Sequence, residues 1–261
     1  MIKHTFCVFD GIGEKIEKKL WQEGIITWDD FVNEDTIPFV SRERKCNINK
    51  SLKFYTKWLE DGNWALFARQ IKRKDHWRFF EFFKNDAVCL DIETNGLATE
   101  CGGYVTMVGL YDGNEYKCMV RGKGLTEANL IKALSPYKYL ITFYGAVFDV
   151  PFLIKNYPAL RFDMMHYDIC LDSKRIGLRG GFKKFEKWFG INRDDEVEGM
   201  NGYDAVRLWQ MYKRGDNSSL NTLIKYNRED TVNLLAVAEY VYSQLKRATG
   251  IEDYLHKQMY E

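Results

Sequence analysis

The chain has 261 residues, 46% of them hydrophobic, which is enough to bury a sizeable core in one large and one small domain. Its 38 Lys and Arg nearly balance its 37 Asp and Glu. The formal net charge of +1 excludes a basic footprint spread over the whole chain, so any basic surface must be local. The aromatic share of 15% is explained mainly by core packing rather than by stacking platforms.

None of the six cysteines lies in a CxxC or CxH spacing, which argues against a zinc ribbon. The N-terminus lacks a charged start followed by a long apolar stretch, and no window of the chain has membrane-spanning length without charge. We therefore predict a cytoplasmic protein with reduced thiols and no membrane partner.

The first 84 residues are predicted to form a small helical arm. The pattern indicates helices over residues 14–23, 28–32, 49–59, 64–71 and 77–84. Gly24 suits the C-terminal cap of the first helix, and Thr27 suits the N-cap of the second. The charged run over residues 42–45 is interpreted as a solvated loop.

A glycine turn near the N-terminus, FDGIGEKI, resembles the hairpin of a helix-hairpin-helix element. There Gly11 and Gly13 would present backbone N–H groups to a phosphate, with Lys15 following on the next helix. Asp10 stands where such hairpins usually carry Pro, which weakens this interpretation. A plain turn between two packed helices remains the alternative.

Residues 85–261 are predicted to form an α/β domain. A buried strand over residues 87–92 is followed by a hairpin of residues 104–111 and 115–120, a helix capped by Thr126, and a strand over residues 139–143. Helices follow over residues 148–155, 181–189, 203–213, 219–226 and 228–246. This order predicts a mixed sheet flanked by helices.

Four carboxylates and one tyrosine stand out in this second part. Asp91 and Glu93 project to the same side of a strand end, Asp149 lies in an apolar segment, and Asp230 follows Tyr226 by one helical turn. Acids in apolar surroundings need cations, and oxygen ligands select Mg²⁺ or Mn²⁺. Taken singly, each motif also fits a solvated turn, a helix N-cap or a surface pair.

In chain order, LDIETNGL, YGAVFDVPFL and YNREDTVNL resemble the three motifs of the DEDD (DnaQ-like) exonucleases of the ribonuclease H-like superfamily, in the tyrosine-bearing DEDDy variant. LRGGFKKFEKWFGI and GYDAVRLWQMYKRGD are similar to the YprB-type ribonuclease H-like domain. The resemblance covers about residues 86–246. It implies a ribonuclease H-like fold and metal-dependent hydrolysis of phosphodiesters from the 3′ end, with release of nucleoside 5′-monophosphates.

The resemblance also assigns roles to residues. It implies that Asp91, Glu93, Asp149 and Asp230 hold two Mg²⁺ or Mn²⁺ ions, and that Tyr226 orients or deprotonates the attacking water. The expected partner is the 3′ end of single-stranded or frayed DNA or RNA. Tyr144 stands where the second motif usually has Asn, so we expect a different contact to the substrate backbone there.

Further residues are expected to bind substrate. Arg179, Lys183 and Lys184 form a basic Gly-Gly turn that enters a helix, where they could hold phosphates or form a solvated face. Thr94, Asn95, Tyr144 and Phe148 adjoin the acidic motifs and are expected to contact the substrate. His166 and Asp168 are candidates for the cleft wall, and a core histidine is an equal alternative.

Two other functions fit the same residues. The same acids could cut nucleic acid internally, as ribonuclease H-like endonucleases do. A non-catalytic nucleic-acid-binding module is the second alternative, and the intact set of four acids and Tyr226 argues against it.

Overall fold

The computed structural model describes residues 1–258. These divide into two compact units. The first unit contains Met1–Lys84, the short segment Asp163–Met165 and the described chain from Tyr242 onward, and the second contains Asn85–Phe162 and His166–Val241. Residues 242–258 thus belong to the same unit as the N-terminal helices.

The first unit is helical. Its N-terminal helices are α1 (Glu14–Gln22), α2 (Trp28–Asn33), α3 (Arg42–Glu60), α4 (Trp64–Gln70) and α5 (Phe80–Phe83), with 3₁₀ turns at Ile2–His4, Arg73–Phe79 and Lys84–Asp86. Thr27 and Asp30 form a reciprocal capping box at the start of α2, as the sequence suggested for Thr27.

The interpretation of residues 42–45 as a loop is wrong, because they form the first turn of α3. Ser41 caps this helix by accepting a hydrogen bond from the Arg44 N–H. Lys45 is buried and donates from Nζ to the carbonyl of Phe31 at 3.1 Å. The apolar pattern predicted a later start for this helix. It missed residues 42–45 because the burial of Lys45 depends on the distant Phe31 carbonyl, which the local sequence does not reveal.

Aromatic side chains fill the core of the first unit. The Tyr55 ring stacks on Phe9 at 5.4 Å between centroids and meets Phe67 edge-on at 5.3 Å. A buried ion pair joins Arg78 Nη1 to Glu17 Oε2 at 3.1 Å. These contacts give the N-terminal unit its own packed interior.

A mixed sheet forms the centre of the second unit. Its strands, within residues 1–258, are β1 (Ala87–Thr94), β2 (Val105–Tyr111), β3 (Tyr116–Val120), β4 (Tyr139–Thr142) and β5 (Met165–Asp168), in the order β3-β2-β1-β4-β5. β1 pairs antiparallel with β2 and parallel with β4, and β2 pairs antiparallel with β3. Strand β5 was not predicted, because a run of only four residues is too short for its alternation to stand out from the flanking loops.

Helices accompany this sheet: α6 (Glu127–Leu134), α7 (Asp149–Asn156), α8 (Ile169–Ser173), α9 (Phe182–Trp188), α10 (Gly202–Lys213) and α11 (Asn217–Thr249), followed by α12 (Ile251–Gln258). The α/β fold predicted from the sequence is confirmed. The two helices predicted over residues 219–226 and 228–246 form one continuous helix, α11, in which Asn227 is fully buried. None of the helices in the described residues combines the length and apolar character needed to cross a membrane.

Candidate active site

Three acidic side chains converge where β1 ends. Asp91 and Glu93 project from β1, and Asp230 approaches from α11. One carboxylate oxygen from each lies within 4.8 Å of the other two. Glu93 is 7% exposed and the Asp230 side chain 15%. Three hard oxygen donors at this separation suit a divalent ion such as Mg²⁺ or Mn²⁺.

Asp149, the fourth predicted metal ligand, lies beside this cluster but outside its 4.8 Å group. It is the first residue of α7, and Phe148 occupies the N-cap position. The Asp149 side chain is buried and its Oδ1 accepts a hydrogen bond from the Ile92 N–H at 3.2 Å. The Asp149 carboxylate is therefore hydrogen-bonded to β1 at the residue between Asp91 and Glu93.

Burial and mutual repulsion raise the pKa values of these acids. Burial, followed by the charge of Asp230, raises the pKa of Asp91 and of Glu93 well above their usual ranges. Burial also raises the pKa of Asp149 to about 7, with the charges of Asp168 and Asp230 adding to the rise. Raised pKa values mark a site that is short of positive charge, which a divalent ion would supply.

Asn227, which the sequence reasoning missed, holds two of the acids. Its Nδ2 donates to Asp91 Oδ2 at 2.9 Å and reaches Glu93 Oε1 at 3.5 Å. Its Oδ1 accepts a hydrogen bond from the Tyr116 hydroxyl at 2.8 Å. Asn227 directly follows Tyr226 in the third motif, and a polar residue on the buried side of a helix was the available signal. The amide thereby orients the carboxylates of β1.

Gly109 makes this contact possible. It lies opposite Asp91 in the pairing of β1 with β2. A Cβ at this position would lie 2.1 Å from Asn227 Oδ1 and 2.4 Å from Thr231 Oγ1, closer than side chains approach one another. The absence of a side chain at Gly109 thus lets α11 pack closely on the strands that carry the acids.

Arg193 is a second residue that the sequence reasoning missed. It lies between α9 and α10, and its Nη2 donates to Asp230 Oδ1. The same Nη2 lies 2.8 Å from Glu186 Oε2, and the Arg193 Nε also donates to Glu186. Glu186, which is 2% exposed, accepts a further hydrogen bond from Asn233 at 2.8 Å. Arg193 therefore brings a buried positive charge to the acidic cluster.

Tyr226 lies beside this charge and beside Lys183. The Lys183 Nζ is 5.1 Å and the Arg193 guanidinium carbon 5.8 Å from the centroid of its ring. Burial, followed by the charge of Asp230, raises the pKa of the Tyr226 phenol. The phenol is therefore protonated at neutral pH and is equipped to make hydrogen bonds rather than to act as a base.

The other basic residues of the Gly-Gly turn lie in different surroundings. Arg179 is exposed, and Lys184 is exposed with its Nζ 4.8 Å from the Trp188 ring centroid. Lys183 instead turns inward, and burial lowers the pKa of its amine. The structure thus brings only Lys183 of this set against Tyr226.

Tyr144 has a left-handed backbone, with φ of 69°, which no other non-glycine residue in the described part of the chain shares. Asp168 holds this turn, because its carboxylate accepts the N–H groups of Tyr144 and Ala146 at 3.0 and 2.9 Å. Asp168 is fully buried and thus anchors the segment that leads into Asp149. His166 Nε2 lies 2.8 Å from the Thr142 hydroxyl.

A largely apolar cavity of about 920 Å³ adjoins the end of β1. Thr94 and Phe148 are among its lining residues, together with the exposed side chains of Leu97 and Tyr203. Asn95 does not line it. Its Oδ1 accepts the Tyr104 N–H at 3.0 Å and its Nδ2 donates to the Gly102 carbonyl, so it closes the loop between β1 and β2.

The phosphate-binding role of the glycine turn in the first unit stays a prediction. Gly11 has a φ of 79°, Gly13 is the N-cap residue of α1, and Lys15 is exposed on that helix. The Arg44 guanidinium covers Gly11, and a Cβ there would lie 2.7 Å from Arg44 Nε. Asp10 pairs with Lys72 at 3.1 Å, so the acid at the turn is already matched by a cation.

Two solved structures are partly similar to this chain. A solved chain described as the apo form of a nuclease is 20% identical, with 70% of this chain and 82% of that chain covered and a TM-score of 0.46. The family B DNA polymerase from the hyperthermophilic archaeon Pyrobaculum calidifontis is 16% identical, with 59% of this chain and 24% of the polymerase covered and a TM-score of 0.46. No curated protein matches the chain.

The sequence model of the RNase_H superfamily matches residues 88–242. This range contains β1 to β5, the converging acids and Tyr226. The match spans more than half of the chain, and this protein belongs to the RNase_H superfamily.

Proposed function

We propose that this protein is a metal-dependent 3′–5′ exonuclease that hydrolyses single-stranded or frayed DNA or RNA to nucleoside 5′-monophosphates. The observation that carries the proposal is the convergence of Asp91, Glu93 and Asp230 within 4.8 Å on a ribonuclease H-like sheet. Tyr226 precedes Asp230 by one helical turn, as the tyrosine-bearing exonuclease motif requires.

Asp91, Glu93, Asp149 and Asp230 are the residues that would hold two divalent ions. Such ions, when bound, acidify a water and stabilise charge on the attacking and leaving oxygens of the phosphodiester. The protein's own contribution is rigidity, since Asn227 fixes Asp91 and Glu93 while the Ile92 N–H fixes Asp149.

Tyr226 is proposed to position the attacking water. A phenol whose pKa is raised by burial and by Asp230 retains its proton at neutral pH. It can therefore direct a water through a hydrogen bond, which favours the orienting role over the deprotonating one. The adjacent cations Lys183 and Arg193 are suited to attract the phosphate, with Lys183 Nζ buried and without a hydrogen-bond acceptor among the described residues.

The cavity at the end of β1 supports action at a strand terminus. Its lining residues Phe148 and Tyr203 are 44% and 77% exposed, so their rings are available to contact a terminal base. A cavity of about 920 Å³ has room for a nucleotide and is lined mainly by apolar groups, as small-molecule sites usually are.

One set of assays tests the proposal. Single-stranded DNA and RNA, labelled at the 5′ end and carrying a free or blocked 3′ end, are incubated with Mg²⁺, Mn²⁺ or EDTA. We expect stepwise shortening of the unblocked strands in either metal, release of 5′-mononucleotides, and no reaction in EDTA. Internal fragments from 3′-blocked strands would instead establish an endonuclease. Binding without cleavage under every metal condition would establish a non-catalytic binding module.

A further inference from the structure

The outward face of α3, in the first unit, combines exposed lysines with an exposed aromatic ring. Lys50, Lys53 and Lys57 are exposed on it, and the Phe54 ring is 57% exposed between them. No acidic residue occurs in the sequence from residue 44 to residue 59, so the cations of this stretch are not offset along the helix. We name Lys50, Lys53, Phe54, Lys57 and Trp58 the α3 face.

The helical period fixes which side chains of α3 are neighbours. Ile48, Leu52 and Tyr55 are buried, which orients the helix in its unit. Residues three and four apart are adjacent on a helix, so Phe54 has Lys50 on one side and Lys57 and Trp58 on the other. The lysines therefore form one stripe of the α3 face, and Phe54 with Trp58 forms the stripe next to it.

The aromatic stripe packs on the buried Tyr55 ring through Trp58. The Trp58 ring lies 5.6 Å from the buried Tyr55 ring and 6.1 Å from the Phe54 ring, measured between centroids. Phe54 thus rests on a ring that is itself packed on the core. An exposed aromatic side chain supported in this way can present its face with little loss of conformational entropy on binding.

The positive charges of the lysine stripe are not neutralised by ion pairs within the described residues. Lys50, Lys53 and Lys57 form no salt bridge within the described residues, whereas Lys45 on the buried side of the same helix donates to the Phe31 carbonyl. Three exposed ammonium groups beside an exposed ring match a ligand that alternates anionic and flat aromatic groups. A single-stranded nucleic acid has this composition, with phosphates for the lysines and unstacked bases for the rings.

We propose that the α3 face binds single-stranded nucleic acid without sequence preference, as a second contact surface for the polymer whose 3′ end the active site hydrolyses. This proposal rests on the proposed nuclease function for its substrate class. The stripe from Lys50 to Trp58 is about 12 Å long, enough for a few nucleotides. Duplex nucleic acid keeps its bases stacked away from such a surface, so single strands are the expected ligand.

Binding of fluorescent oligo(dT) and oligo(U) in EDTA, followed by anisotropy, tests the α3 face without any cleavage. We expect Phe54→Ala to weaken binding about tenfold, because stacking on one ring is lost. Phe54→Tyr should retain most of the affinity, since a ring remains. Replacing Lys50, Lys53 and Lys57 together by Gln should lower the slope of log affinity against log salt by about 2, from about 0.7 for each phosphate contact.

A matched control comes from another exposed helix surface. Ile131 and Lys132 are both exposed on α6, and the double variant Ile131→Ala, Lys132→Gln should bind oligonucleotides as the unaltered protein does. Thermal unfolding of each variant checks that the fold is intact. An affinity loss in this control equal to that of Phe54→Ala would remove the special role of the α3 face.

Cleavage assays separate this proposal from the nuclease proposal. Variants of the α3 face should hydrolyse a dinucleotide at the unaltered rate and long single strands more slowly. If Phe54→Ala and the lysine variant bind oligonucleotides unchanged in EDTA, the α3 face has another role, such as docking a protein, and the proposal is wrong. If they weaken binding while the unaltered protein cleaves no substrate, the nuclease proposal fails and the binding surface stands.

Discussion

Two side chains that are not acidic orient the carboxylates of the acidic cluster: Asn227, inside the third motif, and Arg193, outside all three motifs. Asn227 donates to Asp91 and Glu93, and Arg193 donates to Asp230 while remaining bound to Glu186. Each carboxylate therefore has a fixed direction set by a neighbour. Fixed ligands lose little entropy when an ion binds, which favours a defined coordination geometry.

Removal of the Tyr226 hydroxyl tests its proposed role in positioning the attacking water while the proposed metal ligands stay in place. We expect Tyr226→Phe to lower the nuclease rate by about 10- to 100-fold, as loss of an outer positioning group does. Asp149→Asn should lower it further, because a proposed metal ligand is lost. Single-turnover rates in Mg²⁺ measure both variants. A larger loss for Tyr226→Phe than for Asp149→Asn contradicts the roles assigned to these residues.

At Arg193, the buried ion pair with Glu186 predicts an effect on stability. The side chains are 5% and 2% exposed, so Arg193→Met leaves the Glu186 carboxylate buried without its cation. We expect a loss of about 3–5 kcal/mol in the free energy of unfolding. Glu186→Leu added to Arg193→Met should recover part of this loss. Urea denaturation measures both, and a double variant less stable than the single one contradicts the prediction.

At the scale of elements, the site depends on the contact between α11 and the strands. The helix reaches β1 only because β2 has a glycine opposite Asp91. Asn227 and Thr231, four residues apart, both face Gly109 of β2. The Thr231 hydroxyl donates to the Asn227 carbonyl at 2.7 Å. A helix that also carries Tyr226 and Asp230 is in this way held in register with the acids of β1.

Gly109→Ala tests this contact. The added Cβ would lie 2.1 Å from Asn227 Oδ1, so α11 or β2 must move. We expect a destabilisation of about 1–3 kcal/mol and a weaker affinity for Mn²⁺, since the amide no longer orients Asp91. Denaturation and calorimetric titration measure the two effects.

Gly202→Ala is the matched control for Gly109→Ala, because a Cβ there meets no atom within 4 Å. Its stability should be close to that of the unaltered protein. If Gly109→Ala unfolds at the same denaturant concentration as Gly202→Ala, the close packing of α11 on β2 does not limit stability.

At the scale of the whole molecule, the stability of the fold is linked to the protonation of the site. The pKa of Asp149 is about 7, against 3.8 for an unperturbed carboxyl group. The folded state therefore binds the proton more tightly than the unfolded state between these values. The stability gained from the protonated form is complete below pH about 4 and is lost as pH rises through about 7.

We expect the free energy of unfolding measured in EDTA to fall as pH rises from about 4 to 7, by up to about 4 kcal/mol from Asp149 alone. Asp149→Asn should flatten this dependence, because the amide does not titrate. Mg²⁺ or Mn²⁺ should restore stability most at neutral pH, where the carboxylates are ionised. Stability in EDTA that instead rises over this window contradicts the raised pKa values.

Much of this protein could be predicted from local sequence. Some features depend only on neighbours within a few residues. These are the strand β1, the turn after it, the capping residues Thr27 and Thr126 and the acids of the three motifs. The short strand β5 and the start of α3 could not be predicted in this way, because their stability comes from distant partners such as the Phe31 carbonyl that binds Lys45.

The sequence by itself determined the α/β class, the order of the motifs and the oxygen-rich chemistry of the site, because residue type and periodicity state these directly. Only the tertiary structure decided that Asn227 and Arg193 hold the acids and that Asp149 binds β1. It also decided that Lys183 turns inward while Arg179 and Lys184 stay outside. The physical reason is that a hydrogen bond or ion pair between residues far apart in the chain depends on where the backbone brings them, and local patterns carry no record of that distance.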